Sequence, residues 1–249
     1  MMTPVTSRFI ARLRANDQAA WFELWETFGP VVSSQLTKWG KGRIGAQTVQ
    51  DLSQDTLAAL SDSIDRFDPA RGVRFSTWLL SIAKHVLGDE LDRRGALKRG
   101  GNLRSEELHD DRIAKQGAPE PDELYERAMF GAKIEAAIRL AERECDFNDF
   151  AVFSMRVLEG QSGKDVAAML GTSEPTVTRR LARVREVLRK RLREVIETYS
   201  FTEEERNEAA KSGVTLEETS RAEQDTDFDD AVGEIFRLHL ERRRTEADH

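Results

Sequence analysis

Apolar residues recur three and four positions apart along nearly all of the 249-residue chain, and no stretch alternates as a half-buried strand would. Phe9 and Leu13, then Trp21, Phe22, Leu24, Trp25 and Phe28, then Val31, Val32, Leu36 and Trp39 each form a helical stripe that has to be buried. The fold class this predicts is all-α. Punctuation divides it further: Gly40, Gly42 and Gly45 break the pattern, a helix is expected from Thr48 to Ile64, and the turn Asp68-Pro69-Ala70-Arg71-Gly72 follows. The next helix runs from Ser76 to about Arg94, where Gly95 and then Gly100-Gly101 stop it.

Residues 105–127, with Gly117, Pro119, Pro121 and eight acids against three bases, read as an acidic flexible linker. Beyond it four helices are expected over 122–144, 147–158, 163–170 and 174–198. The organisation is thus two small helical domains, 1–104 and 128–199, joined by that linker and followed by an acidic extension, 200–249. The extension carries 15 acids and 7 bases and few apolar residues, so most of it is expected to be disordered. Its exception is a short amphipathic helix over 228–244, where Phe228, Val232, Ile235, Phe236, Leu238, His239 and Leu240 need a surface to pack on.

Charge argues for nucleic acid only after division. The total is −7, yet residues 1–104 carry 15 bases and 11 acids, and residues 175–193 set eight Arg or Lys against Glu186 alone. That density suits phosphate contact. No run of about 18 apolar residues spans a membrane, the N-terminus lacks the order of a signal peptide, and the lone Cys145 forms no intramolecular disulfide; the expected location is the cytoplasm. His85, His109, His239 and His249 show no metal-ligand spacing, and neither a phosphate-cradling glycine loop nor a nucleophile motif is present. Neither a cofactor nor enzymatic activity is expected.

Residues 158–181 read as a helix-turn-helix. Ser162 can cap the first helix; Val166, Ala167 and Leu170 form its inner face; Gly171 supplies a left-handed turn residue; Ser173 and Pro175 open the second helix. The second helix buries Val177, Leu181, Val184 and Leu188, which turns Thr176, Thr178, Arg179, Arg180 and Arg183 toward a major groove. Arg189, Lys190, Arg191 and Arg193, farther along, are expected to touch phosphate or water.

This motif resembles the fourth conserved region of sigma factors. Phe75-Ser76-Thr77-Trp78-Leu79-Leu80-Ser81-Ile82-Ala83-Lys84-His85, with Asp92-Arg93-Arg94 after it, resembles their second region. Both regions without an intervening third are similar to the extracytoplasmic-function (ECF) group of the sigma-70 family. The resemblance implies a non-catalytic factor that binds the RNA polymerase core at the β′ clamp helices, reads the −35 element of promoter DNA with the second domain, and captures flipped −10 bases with the first. The residues it implies for the −10 element are Arg71, Arg74, Lys84, His85, Gly88, Asp89 and Arg93. Phe75 and Trp78 fall in phase with Leu79 and Ile82 and are expected in the core. His85 stands where the family has Asn and is expected neutral and exposed.

For the polymerase, the resemblance implies Asp51, Gln54 and Asp55. The family pattern Asp-x-Glu-Asp meets Thr48 and Gln50 at its first two acids, so this surface lacks two negative charges. Phosphorylation of Thr48 at a helix N-terminus would restore charge, making a serine/threonine kinase a partner to consider beside an anti-sigma protein. The simpler reading of Thr48 is a helix cap; Ser53 and Thr56 are weaker phosphorylation candidates. From another class, a helix-turn-helix regulator acting without the polymerase core remains the alternative. The extension either covers the DNA-reading surface, docks a partner through 228–244, or only solubilises.

Overall fold

The computed structural model describes residues 3–68, 72–98, 121–217 and 222–247; Arg71 and residues 105–120 of the expected linker lie outside them. Among the described residues all regular structure is helical. The chain divides into two compact units, Met1–Met129 and Phe130–His249. No helix is long and apolar enough to cross a membrane, and no group of acidic, His and Cys side chains fit to hold a metal ion occurs, among the described residues.

The first unit is built from α1 (Pro4–Arg14), α2 (Gln18–Gly40), α3 (Ala46–Ser63) and α4 (Phe75–Lys98). Thr3 accepts from the Thr6 N–H to cap α1, and Asp17 accepts from Ala19 and Ala20 to cap α2. Leu13, Leu24, Phe28, Leu36, Leu60, Phe75, Leu79 and Ile82 are its fully buried centre. Phe67 stacks on Trp78 at 4.3 Å, and Phe75 tilts against Phe28 at 4.9 Å. The aromatic pair at the start of α4 therefore packs the core, as its phase predicts. Two boundaries differ from expectation. Helix α3 begins at Ala46 with Gly45 in the cap position, so Thr48 is inside the first turn and is not the cap. Helix α4 passes through Gly95 to Lys98: one glycine costs only about 1 kcal/mol in a helix, and Ala96 continues the buried stripe.

The second unit contains α5 (Glu123–Glu144), whose first residues belong to the first unit, then α6 (Phe147–Phe153) with a π-helical turn (Ser154–Leu158), α7 (Gly163–Met169), α8 (Glu174–Thr198), α9 (Glu203–Arg206), α10 (Glu208–Lys211) and α11 (Ala222–Ala247). Asp146 caps α6 through the Asn148 N–H, Ser162 caps α7 through Asp165 N–H at 3.1 Å, and Gly171 takes φ +59°. The start of α5 places Tyr125 under Ser76, whose carbonyl accepts from the Tyr125 hydroxyl at 3.2 Å. Residues 123–127, where the expected linker and the expected helix over 122–144 overlap, are helix.

The expected disorder of the extension is corrected. It folds onto the second unit because its acids and bases find buried partners there. Lys133, 2% exposed, pairs with Glu208 at 3.2 Å. Phe228 and Val232 are fully buried, and Arg237 donates to the carbonyls of Val157 and Leu158 in the π-helical turn at 3.0 and 3.4 Å. Gly233 is required by that approach, since a Cβ there would lie 2.5 Å from the Val157 carbonyl oxygen. Helix α11 is also longer than the expected 228–244.

Glu135 of α5 accepts from Arg243 at 2.9 Å and stands 3.1 Å from His239 Nε2. Burial pushes its carboxyl up, but the His239 hydrogen bond and the Arg243 charge outweigh burial and hold it at about 2, against an ordinary 4.5. A carboxylate depressed on folding stabilises the fold above its unfolded pKa and loses that contribution as pH falls toward the folded one. Acidification from pH 5 to pH 2.5 is therefore expected to remove about 1–2 kcal/mol at this site. Glu135→Gln should flatten the part of the pH–stability curve it causes; an unchanged curve would remove the group from the account.

Candidate DNA and polymerase interfaces

Helix α8 carries the expected duplex-reading residues, and their geometry differs one by one. Ser173 occupies the cap position without a side-chain cap bond; its carbonyl accepts from the Thr176 and Val177 N–H groups, and its hydroxyl meets Thr176 Oγ1 at 3.0 Å. Arg179 donates to the same Thr176 oxygen at 3.2 Å and is exposed, so Ser173, Thr176 and Arg179 form one polar cluster at the start of the helix. Thr178 donates back to the Glu174 carbonyl at 3.1 Å. Arg183 is gripped in a bidentate pair by Asp149 of α6, at 2.6 and 2.7 Å, and Arg180 stands 3.6 Å from the same carboxylate. The Arg183 pairing holds the Asp149 carboxyl below the usual range. Sequence reading missed Asp149, which lies 34 residues from Arg183.

The far cations of α8 are not all solvated. Arg191 pairs with Glu144, as does Lys190 at 3.6 Å. Arg189, expected at the surface, is buried at 5% exposure and lies 4.4 Å over the Phe228 ring. Cys145, beside this region, is half-buried; burial first, then Glu144 and Asp149, pushes its thiol pKa up, which favours the protonated thiol.

In the first unit, Lys84, Gly88 and Asp92 on one line of α4, with His85, Asp89 and Arg93 on the next, form a continuous face by their four-residue spacing. Lys84, Asp89 and Arg93 are exposed, and nothing lies within 4 Å of a Cβ added at Gly88. His85 is not exposed as expected: 16% of its side chain meets solvent, and Nε2 lies 3.3 Å from Asp89 without a hydrogen bond's alignment. Arg93 forms a two-point contact with Glu90 at 2.7 and 2.9 Å. Arg74 lies 3.5 Å from Glu126.

On α3, Asp51, Gln54 and Asp55 are exposed and share one face by their i, i+3, i+4 spacing. Gln47 donates to Asp51 at 3.1 Å. Thr48 is half-buried and accepts from Arg94 of α4 at 2.7 Å, while the same guanidinium reaches the Arg43 carbonyl at 3.2 Å and Glu90 at 2.6 Å. Ser53 and Thr56, offered as weaker modification candidates, are buried and donate to the Val49 and Leu52 carbonyls. A kinase has no access to them in the folded chain.

The family model for Sigma-70 region 2 matches residues 24–96, and that for Sigma-70, region 4 matches residues 148–197. Among curated proteins the chain is similar to the ECF RNA polymerase sigma factor SigE of Mycolicibacterium smegmatis, 29% identical over 149 residues, 56% of this chain and 50% of that one. It is 27% identical to the RNA polymerase sigma-H factor of Pseudomonas aeruginosa over 61% of this chain and 76% of that protein. With the RNA polymerase sigma factor CnrH of Cupriavidus metallidurans it shares 28% identity over 177 residues, 70% of this chain and 87% of that one. The match thus spans half the length of SigE.

Proposed function

The chain belongs to the sigma-70 family, in its ECF group, and from that membership we propose that it binds the RNA polymerase core and directs it to promoter DNA without making or breaking a bond. Residues 1–104 engage the core and the −10 element, and residues 128–199 read the −35 element. On α8, Thr176 and Arg179 at the helix start read base edges, with Thr178, Arg180 and Arg183 holding the backbone. On α4, Lys84, His85, Gly88, Asp89 and Arg93 receive the opened strand, with Arg71 and Arg74 following its phosphates. Asp51, Gln54 and Asp55 face the polymerase clamp helices. The observation that carries this reading is the pairing, in one chain, of region 2 and region 4 in their family order. Run-off transcription with purified core across a promoter library tests it. A promoter-specific transcript is the expected result; duplex binding without a transcript would favour a regulator that acts without the core.

Engagement of the core is conditional on Thr48. Its hydroxyl already faces the Arg94 guanidinium at 2.7 Å, within the first turn of α3. A phosphate there would gain a charge-assisted hydrogen bond and a favourable helix terminus, and would return negative charge to a face poor in it. Pull-down of core polymerase is expected to rise about tenfold when the wild type is treated with a serine/threonine kinase and to stay low for Thr48→Ala, treated or not. Equal capture by both proteins in both conditions would end this reading.

A further inference from the structure

The extension and the recognition helix are joined by ion pairs of a kind that solubilising tails do not make. Arg185 donates to Asp229 in two bonds, 2.9 and 2.5 Å, and to Asp225 at 3.4 Å; Arg189 donates to Asp225 at 2.8 Å. These guanidinium side chains are 12% and 5% exposed, whereas that of Arg183 is 59% exposed. At 3.6 residues per turn, Arg185 and Arg189 lie on one flank of the buried stripe Val177, Leu181, Val184 and Leu188, and Arg180 and Arg183 lie on the other. Among the described residues, the side-chain partners of Thr176, Arg179, Arg180 and Arg183 all fall within 146–179, and none is in the extension. The acids of the tail therefore leave Thr176, Arg179, Arg180 and Arg183 uncovered and occupy the opposite flank, which carries Thr178 nearer the start of the helix. Phe228, seated under Arg189, and the Lys133–Glu208 pair fix the extension in that place.

We propose that Asp225 and Asp229 are positioning residues of the DNA-reading unit: they withhold Arg185 and Arg189 from DNA phosphate and leave Arg179, Arg180 and Arg183 as the arginines of α8 that contact it. The extension sets how many phosphates the unit neutralises, and so how steeply its DNA affinity depends on salt. This inference rests on the DNA-binding reading above, but its first half concerns the protein alone.

The test uses the full chain and needs no variant at first. Arginine-specific modification by phenylglyoxal, read by mass spectrometry, is expected to label Arg179 and Arg183 in the free protein and to leave Arg185 and Arg189 unlabelled. A 30-base-pair random-sequence duplex should protect the first pair. Labelling of Arg185 or Arg189 in the free protein, with protection by the duplex, overturns the proposal. If the duplex protects nothing, DNA binding fails while the free-protein labelling still decides whether the two arginines are withheld. The salt dependence of duplex binding is the second measurement. Each phosphate that the protein no longer neutralises lowers the slope of log affinity against log salt by about 0.9. Arg179→Gln should lower it by about that amount and Arg185→Gln should leave it unchanged. Asp225→Asn/Asp229→Asn should raise it by about 1–2. A fall with Arg185→Gln equal to that of Arg179→Gln would also overturn the proposal.

Discussion

Phe228→Ala is expected to cost the second unit about 3–5 kcal/mol, the range for removing a fully buried phenylalanine without refilling its space. Phe228 is 0% exposed and carries the Arg189 guanidinium 4.4 Å above its ring, so the substitution also removes a cation–π contact of about 1 kcal/mol. The loss does not stay in the tail. Arg189 would remain buried in the recognition helix beside a cavity, and a buried guanidinium with a loosened partner is costly. Amide exchange should accelerate throughout α8 and α11. The four tryptophans, Trp21, Trp25, Trp39 and Trp78, all lie in the first unit, so tryptophan fluorescence during urea unfolding reports that unit and should not change. A cost under 1 kcal/mol, or exchange faster in α11 alone, would mean that the extension rests on the unit without supporting it.

The reach of sequence reading follows from how far apart interacting groups lie. The boundaries of α7 and α8 are legible because their signals are local: Ser162 caps three residues ahead, Gly171 turns in place, and Pro175 sits in a first turn. The place of Phe75 and Trp78 in the core is legible from phase alone. The order of the extension is not, because Asp225 and Asp229 read as solvating acids until Arg189 and Arg185 are known to stand opposite them, 36 and 44 residues away. The same distance hides the Arg94 contact of Thr48, 46 residues apart, and the Asp149 grip on Arg183. Composition counts charge; it does not pair it. Residues 200–249 hold an excess of eight acids, and the structure spends several of the extension's charges inside the fold. The partial burial of His85 escapes for a related reason: a histidine on the predicted outer face of α4 is expected to be open, and only the packing around it lowers its exposure.

The other large effect belongs to α3. Asp51→Lys/Asp55→Lys is expected to lower capture of core polymerase at least about 100-fold, because placing like charges across an interface costs several kcal/mol. The face has little reserve. Asp51 and Asp55 are its exposed carboxylates, Thr48 and Gln50 are uncharged, and the Arg94 guanidinium sits against Thr48. With two of the expected acids missing, reversal of the remaining pair turns a weakly negative surface positive, and a single phosphate of about −1.5 to −2 charge at Thr48 does not offset that swing of four. Kinase treatment should therefore not rescue the double variant, although it should rescue the milder Asp51→Asn. Both aspartates are exposed, and the Gln47 bond to Asp51 is a surface contact, so thermal unfolding should move little. Duplex binding by the second unit should be unchanged, which separates loss of the polymerase from loss of the protein. Capture within twofold of wild type would place the polymerase contact elsewhere on the first unit and would remove the reason for a charge at Thr48.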